Sequence, residues 1–156
     1  MLSPTCCPQS CYGGSTGAEL GSTLSLVSPV LLTEAAKLVR RLSSGLVVEV
    51  AAILPVVGTT VQAPILLAAG TSVSVRVTPL VIFAAVIRTG AQSLVLAHTH
   101  VDDSPPSDAD RAVTRRLTAA GAVLGVPLLS HVVVGPRSAW ECVTGDLLEA
   151  WAPTAE

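Results

Sequence analysis

The sequence predicts an α/β (α+β) domain, a mixed β-sheet flanked by helices. Apolar runs of strand length alternate with segments of helical period, and Gly, Pro, Ser and Thr clusters separate them. Half of the residues are hydrophobic and only 13% are charged, which supports a well-covered interior rather than disorder. At 156 residues the chain is long enough to bury one core. Aromatic residues make up 3%, so Val, Leu, Ile and Ala must build that core.

Residues 1–27 read as a flexible leader and 28–156 as the folded domain. The leader holds Pro4, Pro8, Gly13, Gly14 and Gly17 among many Ser and Thr. Its Cys6, Cys7 and Cys11, with Cys142 far away, form no disulfide framework by number or placement. From Ser28 to Leu42 the period is helical. Leu32, Ala35, Ala36, Val39 and Leu42 share a face, with Lys37, Arg40 and Arg41 largely opposite, and Ser43-Ser44-Gly45 ends the segment. Leu46–Val57 is a strand-type run, Gly58-Thr59-Thr60 a turn, and Val61–Ala69 a second strand that pairs with the first as a hairpin. Pro55 and Pro64 mark edges, bulges or strand ends.

After Gly70-Thr71-Ser72, Val73–Val77 alternates with Ser74 and Arg76. Thr78-Pro79 opens a helix that is apolar nearly all round from Leu80 to Arg88, so it should pack on the sheet. Ser93–Ala97 is a short buried strand, Ser107–Leu124 the second main helix and Leu128–Val134 a further strand. The tail, with Trp140 and Trp151, is expected to cover one edge.

Several function classes are disfavoured. A net charge of −2 gives no support to a nucleic-acid binder held by bulk charge. The clusters Lys37/Arg40/Arg41 and Arg111/Arg115/Arg116 each fit one solvated helix face. No apolar run is long enough to span a membrane, and the first residues lack the pattern of a secretory signal. A reducing cytoplasm and no membrane partner are the expectation.

The chemistry concentrates in Leu94–Asp110, where an apolar strand runs into His98-Thr99-His100, a Pro-containing loop follows, and Ser107 opens a helix. Side chains two apart on a strand share a face, so His98 and His100 can aim at one point. Two imidazoles at a strand end are good zinc ligands and poor core residues. A carboxylate from a nearby helix would complete three ligands and leave a fourth position open, the pattern of a catalytic zinc. Asp110 is the candidate. Ser107-Asp108-Ala109-Asp110 also has the spacing of a helix capping box, which would explain Asp110 without a metal. Against that, Val113, Leu117, Ala120 and Leu124 define the helix's buried stripe, and Asp110 lies beside it. Glu49 is the only charge within Leu46–Val57. By itself it reads best as facing solvent or paired with an Arg. The sharper alternative is a buried carboxylate with a raised pKa, poised to take and return a proton. His131 reads as a structural residue or one behind the ligands.

These residues resemble the RadC-like JAB domain of the JAMM/MPN metalloprotease superfamily. Its motif is an upstream Glu, then His-x-His, then Ser-x-x-Asp, matched here by Glu49, His98-Thr99-His100 and Ser107-Asp108-Ala109-Asp110. The likeness extends over Gly70-Thr71, Val77–Pro79, Thr114–Leu117, Leu124–Leu129 and Ser130-His131, roughly from Ser28 to Cys142. It implies a JAMM-type (cytidine-deaminase-like) sheet, with His98, His100 and Asp110 holding Zn2+, Glu49 as general base and proton donor, and Ser107 steadying the oxyanion. It also implies a peptide or isopeptide substrate, ubiquitin-like tails included. Two features depart from the family pattern. Val101-Asp102-Asp103 replaces Pro-Ser-Gly in a His100-to-Ser107 loop one residue shorter than usual. Ser130 stands where Asp is usual. Asp102 and Asp103 could therefore act behind the ligands or compete with them.

Rival readings are weaker. His-x-His barrels of the amidohydrolase or histidinol-phosphatase type need more histidines and a longer chain. A zinc deaminase needs His-x-Glu and Cys-x-x-Cys, both absent. A metal-free scaffold, or a DNA-repair role associated with RadC-like proteins, is the remaining alternative.

Overall fold

A computed structural model of the chain describes residues 28–151. The expected leader and its three cysteines lie outside the described residues.

The chain runs α1 (Pro29–Leu42), β1 (Val50–Val57), β2 (Thr60–Val61), β3 (Ile65–Ala69), α2 (Pro79–Thr89), β4 (Ser93–Thr99), α3 (Asp108–Leu124), β5 (Leu128–Val134), β6 (Ser138–Glu141) and β7 (Leu147–Ala150). Among the described residues the strands form one mixed sheet ordered β2-β1-β4-β5-β6-β7, with β3 also paired to β1. Only β4 and β5 run parallel; the other neighbours are antiparallel. The parallel pair needs a crossover, and α3 supplies it. The predicted mixed sheet flanked by helices is what the chain forms.

Helix boundaries follow local chemistry. Ser28, Thr78 and Ser107 cap α1, α2 and α3 by accepting bonds from Val30 N, Val81 N and Asp110 N, and Pro29 and Pro79 sit at permitted first-turn positions. Gly90 and Gly125 close α2 and α3 in the left-handed conformation, at φ 73° and 69°.

Strand alternation sorts the interior into two cores. On one face, Leu32, Ala35, Ala36 and Val39 of α1 meet Leu54, Val56, Val95, Ala97, Val132 and Val134. On the other, Ile82, Phe83 and Val86 of α2 and Leu117 of α3 meet Ile53, Leu94, Leu96 and Leu128. A Cβ on Gly121 would come within 2.6 Å of Val126 O, so glycine there lets α3 close onto its own exit turn.

Several expectations need correction. Leu46–Glu49 is not strand: β1 starts at Val50, and Leu46 and Val47 are exposed. The expected Val61–Ala69 strand is split into β2 and β3; Pro64, which has no N–H to donate, lies between them. Both pieces pair with β1 as predicted. Leu42 and Leu124 leave the core because each ends its helix at the surface. The buried line of α3 is Thr114, Leu117 and Gly121, with Val113 and Ala120 only half-buried, a rotation toward the sheet that brings a polar Thr inward. Helix α2 packs by Ile82, Phe83 and Val86 but exposes Leu80, Val81 and Ile87. The tail covers the sheet edge by adding two strands, β6 and β7, and Trp151 lies under the Arg40 guanidinium, 4.4 Å from the ring centre. No helix among the described residues is long and apolar enough to cross a membrane.

Candidate metal centre

Strand register assembles the site. In the antiparallel β1–β4 ladder Ala51 faces His98, so Glu49, two residues earlier, falls on the same face opposite His100. In the parallel β4–β5 ladder Leu96 faces His131 and His98 faces Val133, which puts His131 on that face too. The capped start of α3 then brings Asp110 over the end of β4.

His98 Nε2 lies 3.0 Å from His100 Nε2 and 3.2 Å from Asp110 Oδ1, and His100 Nε2 lies 3.7 Å from Asp110 Oδ2. Among the described residues these three form the group able to hold a metal ion, one donor atom from each lying within 4.8 Å of the others. Tetrahedral zinc with ligands at about 2.0–2.1 Å spaces its donors by roughly 3.3 Å. The donor set and its spacing fit such an ion, with a coordination position left over.

The capping box and the metal reading of Asp110 prove to be compatible. Oδ2 accepts bonds from Ser107 N (2.7 Å) and Ser107 Oγ (2.6 Å), while Oδ1 faces His98. Burial alone would raise the Asp110 pKa. The bonds from His100, His98 and Ser107 outweigh it and hold the carboxyl far below the usual range. Asp110 is therefore a carboxylate at any working pH.

Each imidazole is held from behind. His98 Nδ1 is 2.8 Å from His131 Nε2, and His131 Nδ1 is 2.8 Å from Thr114 Oγ1, which donates to Asp110 O at 2.8 Å. One tautomer assignment satisfies the whole relay. His98 donates from Nδ1 to His131, His131 donates from Nδ1 to Thr114, and the His98 Nε2 lone pair faces the cluster. Burial pushes the His131 pKa well below its ordinary value, so that ring is neutral, as the relay requires. His131 thus stands behind His98, away from the His98, His100 and Asp110 donor group. The signal for Thr114 was absent: a threonine inside a helical stripe carries no mark of its role.

His100 is backed by the loop instead. Its Nδ1 lies 2.9 Å from both the carbonyl oxygen and the Oγ of Ser104. Asp102 accepts from Ser104 N (3.1 Å) and Oγ (2.6 Å). Asp103 accepts from Arg137 N, Arg137 Nε and Ser138 Oγ at 2.7, 2.6 and 2.9 Å. A Cβ on Gly135 would meet Asp103 Oδ1 at 2.8 Å, so glycine permits this approach. Neither loop aspartate belongs to the donor cluster. Burial lowers the His100 pKa, but the bonds with Asp110 and Ser104 raise it more, leaving it above its ordinary value. Ser130, the other departure, donates to Glu141 Oε1 at 2.7 Å, and Glu141 in turn accepts Val143 N and Thr144 N, fixing the turn after β6.

Glu49 neither faces solvent nor pairs with an Arg, contrary to its reading in isolation. It is 8% exposed and lines a cleft of about 710 Å³ together with His98, His100, Asp110 and Ser107. Burial raises its pKa, partly countered by the nearby His100 and His98. The walls of the cleft are Ser72–Thr78 on one side and Ser104, Pro105, Ser107 and the first turns of α3 on the other.

Fold and site together define a mixed α/β domain with a His-His-Asp cluster at the strand ends, open to a cleft. Residues 34–142 match the RadC-like JAB domain, and the chain belongs to that family. It is 45% identical over 67 residues to the UPF0758 protein STH371 of Symbiobacterium thermophilum, covering 42% of this chain and 29% of that protein. It is 40% identical over 72 residues to a UPF0758 protein of Thermotoga maritima (46% and 32%). It is 42% identical over 76 residues to one of Rubrobacter xylanophilus (48% and 33%). The chain thus matches about a third of the length of these curated relatives.

Proposed function

We propose that this domain is a zinc-dependent, metallopeptidase-like hydrolase of the RadC/JAMM type that cleaves a peptide or isopeptide bond. The observation that carries the reading is the convergence of His98, His100 and Asp110 on one point of a cleft whose buried wall also holds Glu49. Zinc held by those three residues would lower the pKa of water and polarise a scissile carbonyl. The two histidines and the aspartate serve as ligands. Glu49, desolvated but able to ionise, takes a proton from the attacking water and returns it to the leaving nitrogen. Ser107 steadies the developing oxyanion by exchanging its bond to Asp110 Oδ2 for one to the substrate oxygen. The substrate in this reading is an extended peptide, including the tail of a ubiquitin-like protein, lying between the Ser72–Thr78 wall and the start of α3. A free, buried Cys142, with its thiol pushed up to about 11 by burial, suits a reducing cytoplasm.

The test pairs metal content with turnover. Purified protein should carry one zinc per chain by elemental mass spectrometry. Glu49→Gln should keep the metal and lose cleavage of a peptide library by at least ~100-fold, whereas His98→Ala should lose the metal. A chain without stoichiometric metal would favour the scaffold alternative. Undiminished cleavage by Glu49→Gln would remove Glu49 as the base.

A further inference from the structure

A second cleft, of about 790 Å³, lies on the α1 face of the sheet. It opens at the carboxyl ends of β4 and β5, between Thr99–Val101 and Val134–Pro136, with the end of α1 and the loop after it as the far wall. The crevice beyond the carboxyl ends of parallel strands is where α/β sheets commonly take ligands. Strand alternation sets the two clefts back to back. Val48, Thr99 and Val101 line this one, while Glu49, His98 and Asp102 line the metal cleft, and His100 lines both.

The two differ in charge. The metal cleft is mixed, bordered by Glu49, Asp102 and Asp110 and also by Arg76 and Arg116. Among the described residues the second cleft has no acidic lining, only Lys37, Arg40 and Arg41. Arg40 is held in place over Trp151, 4.4 Å from its ring centre. Lys37 pairs with Glu34 at 3.2 Å on the exposed side of α1, a contact worth little in water. Arg40 and Arg41 have no carboxylate within ion-pair distance among the described residues. Three cations in a concave site that adjoins a metal ligand raise the local concentration of anions.

We propose that this cleft is a substrate subsite that receives the carboxylate-bearing part of a peptide lying across His100 into the metal cleft. The inference rests on the hydrolase reading and names the class of substrate: a chain with acidic residues, or a terminal carboxylate, to one side of the bond cut. The guanidinium of Arg41 and the ammonium of Lys37 supply the charge, and Arg40, stacked on Trp151, lines the cleft beside them. A peptide is favoured over a nucleic acid as occupant because the cleft adjoins the metal cleft through His100, which lines both.

The experiment uses the full chain, zinc-loaded, with Glu49→Gln to prevent cleavage. Fluorescence anisotropy follows labelled octapeptides bearing three glutamates at one end or the other, their glutamine counterparts, each with a free or amidated C-terminus, and an oligonucleotide of equal charge. At low salt one acidic peptide should bind about tenfold more tightly than its glutamine counterpart. Lys37→Ala/Arg41→Ala should erase that difference and leave the neutral peptide's affinity unchanged, and Arg41→Glu should reverse it. An acidic-over-glutamine preference that persists on amidation assigns the site to side-chain carboxylates; tighter binding of the free than of the amidated glutamine peptide assigns it to a terminal carboxylate. Equal binding of the acidic, neutral and amidated peptides overturns the proposal. So does a preference that survives the variants, or tighter, Arg41-dependent binding of the oligonucleotide. Hydrolysis by the parent is scored separately. Charge-selective binding without cleavage would retire the hydrolase reading alone, and cleavage without charge selectivity would retire the subsite alone.

Discussion

His98 and His100 sit two residues apart and aim at one point, yet they are held by opposite means. His98 is backed from inside the core, through His131 and Thr114, by groups that are themselves buried. His100 is backed from outside, by Ser104 in a loop that Asp102 and Asp103 tie down at the surface. The core support is rigid because any displacement leaves buried polar atoms unpaired; among the described residues none is unpaired now. The loop support depends on a few partly solvated bonds to Arg137 and Ser138, so it can vary in sequence without disturbing the fold. Here the loop reads Val101-Asp102-Asp103 and delivers Ser104 as an acceptor to His100 Nδ1.

The comparison can be broken most severely at its shared point. Asp110→Ala should abolish stoichiometric metal binding in equilibrium dialysis, a larger effect than any change behind the ligands, because it removes a donor that both histidines face. A change on the core side comes next. His131→Ala should weaken zinc affinity by about 10–100-fold, the usual cost of losing a residue that orients a ligand. It should also destabilise the protein by roughly 2–4 kcal/mol, through the unpaired Thr114 and His98 atoms and the cavity. Chelator competition and denaturant unfolding read the two effects.

On the loop side, Asp103→Asn should cost only about 1 kcal/mol of stability. Its effect should depend on pH. Burial alone would raise the Asp103 pKa, but the bonds from Arg137 and Ser138 hold it below its ordinary value. Its stabilisation is therefore complete above about pH 4 and is lost as pH falls through the folded-state value. Parent and variant should differ at pH 7 and converge in acid. If Asp103→Asn destabilised the protein as much as His131→Ala, the contrast between core and loop support would be lost.

The smallest expected effect has the opposite sign. Glu49 has a raised pKa in the metal-free fold. A raised carboxyl contributes stability below its unfolded value of about 4.3 that disappears as pH rises through the folded value. Metal-free Glu49→Gln should therefore melt slightly higher than the parent at pH 7, and the gap should close near pH 4. A lower melting temperature at pH 7 would show that Glu49 is not desolvated at a cost.

Much of this was legible locally. The caps Ser28, Thr78 and Ser107 and the terminal Gly90 and Gly125 are short-range chemistry, and they place the helices correctly. His98 and His100 are paired by strand period alone. Glu49 is assigned to solvent when read in isolation, because whether a carboxylate at a strand end faces water or a cleft depends on what lies across from it, here His100 just past β4 and the wall around Ser72–Thr78. Leu46–Val47 have strand-type apolarity, but a strand also needs a neighbour, and among the described residues none pairs with them. Thr114 gave no signal, since its role exists only once His131 arrives from β5.

The sequence by itself determined the fold class, the helix ends and the pairing of two imidazoles on one strand, because each depends on contacts within a few residues. Tertiary structure alone decided that Asp110 can cap its helix with one oxygen while turning the other to His98, that His131 stands behind that imidazole, and that the strand ends open into two clefts, one of mixed charge and one whose charged lining is Lys37, Arg40 and Arg41. Those outcomes depend on ladder register and on how α1 and α3 settle against opposite faces of the sheet. No local pattern encodes the distance between residues that meet only when the sheet closes.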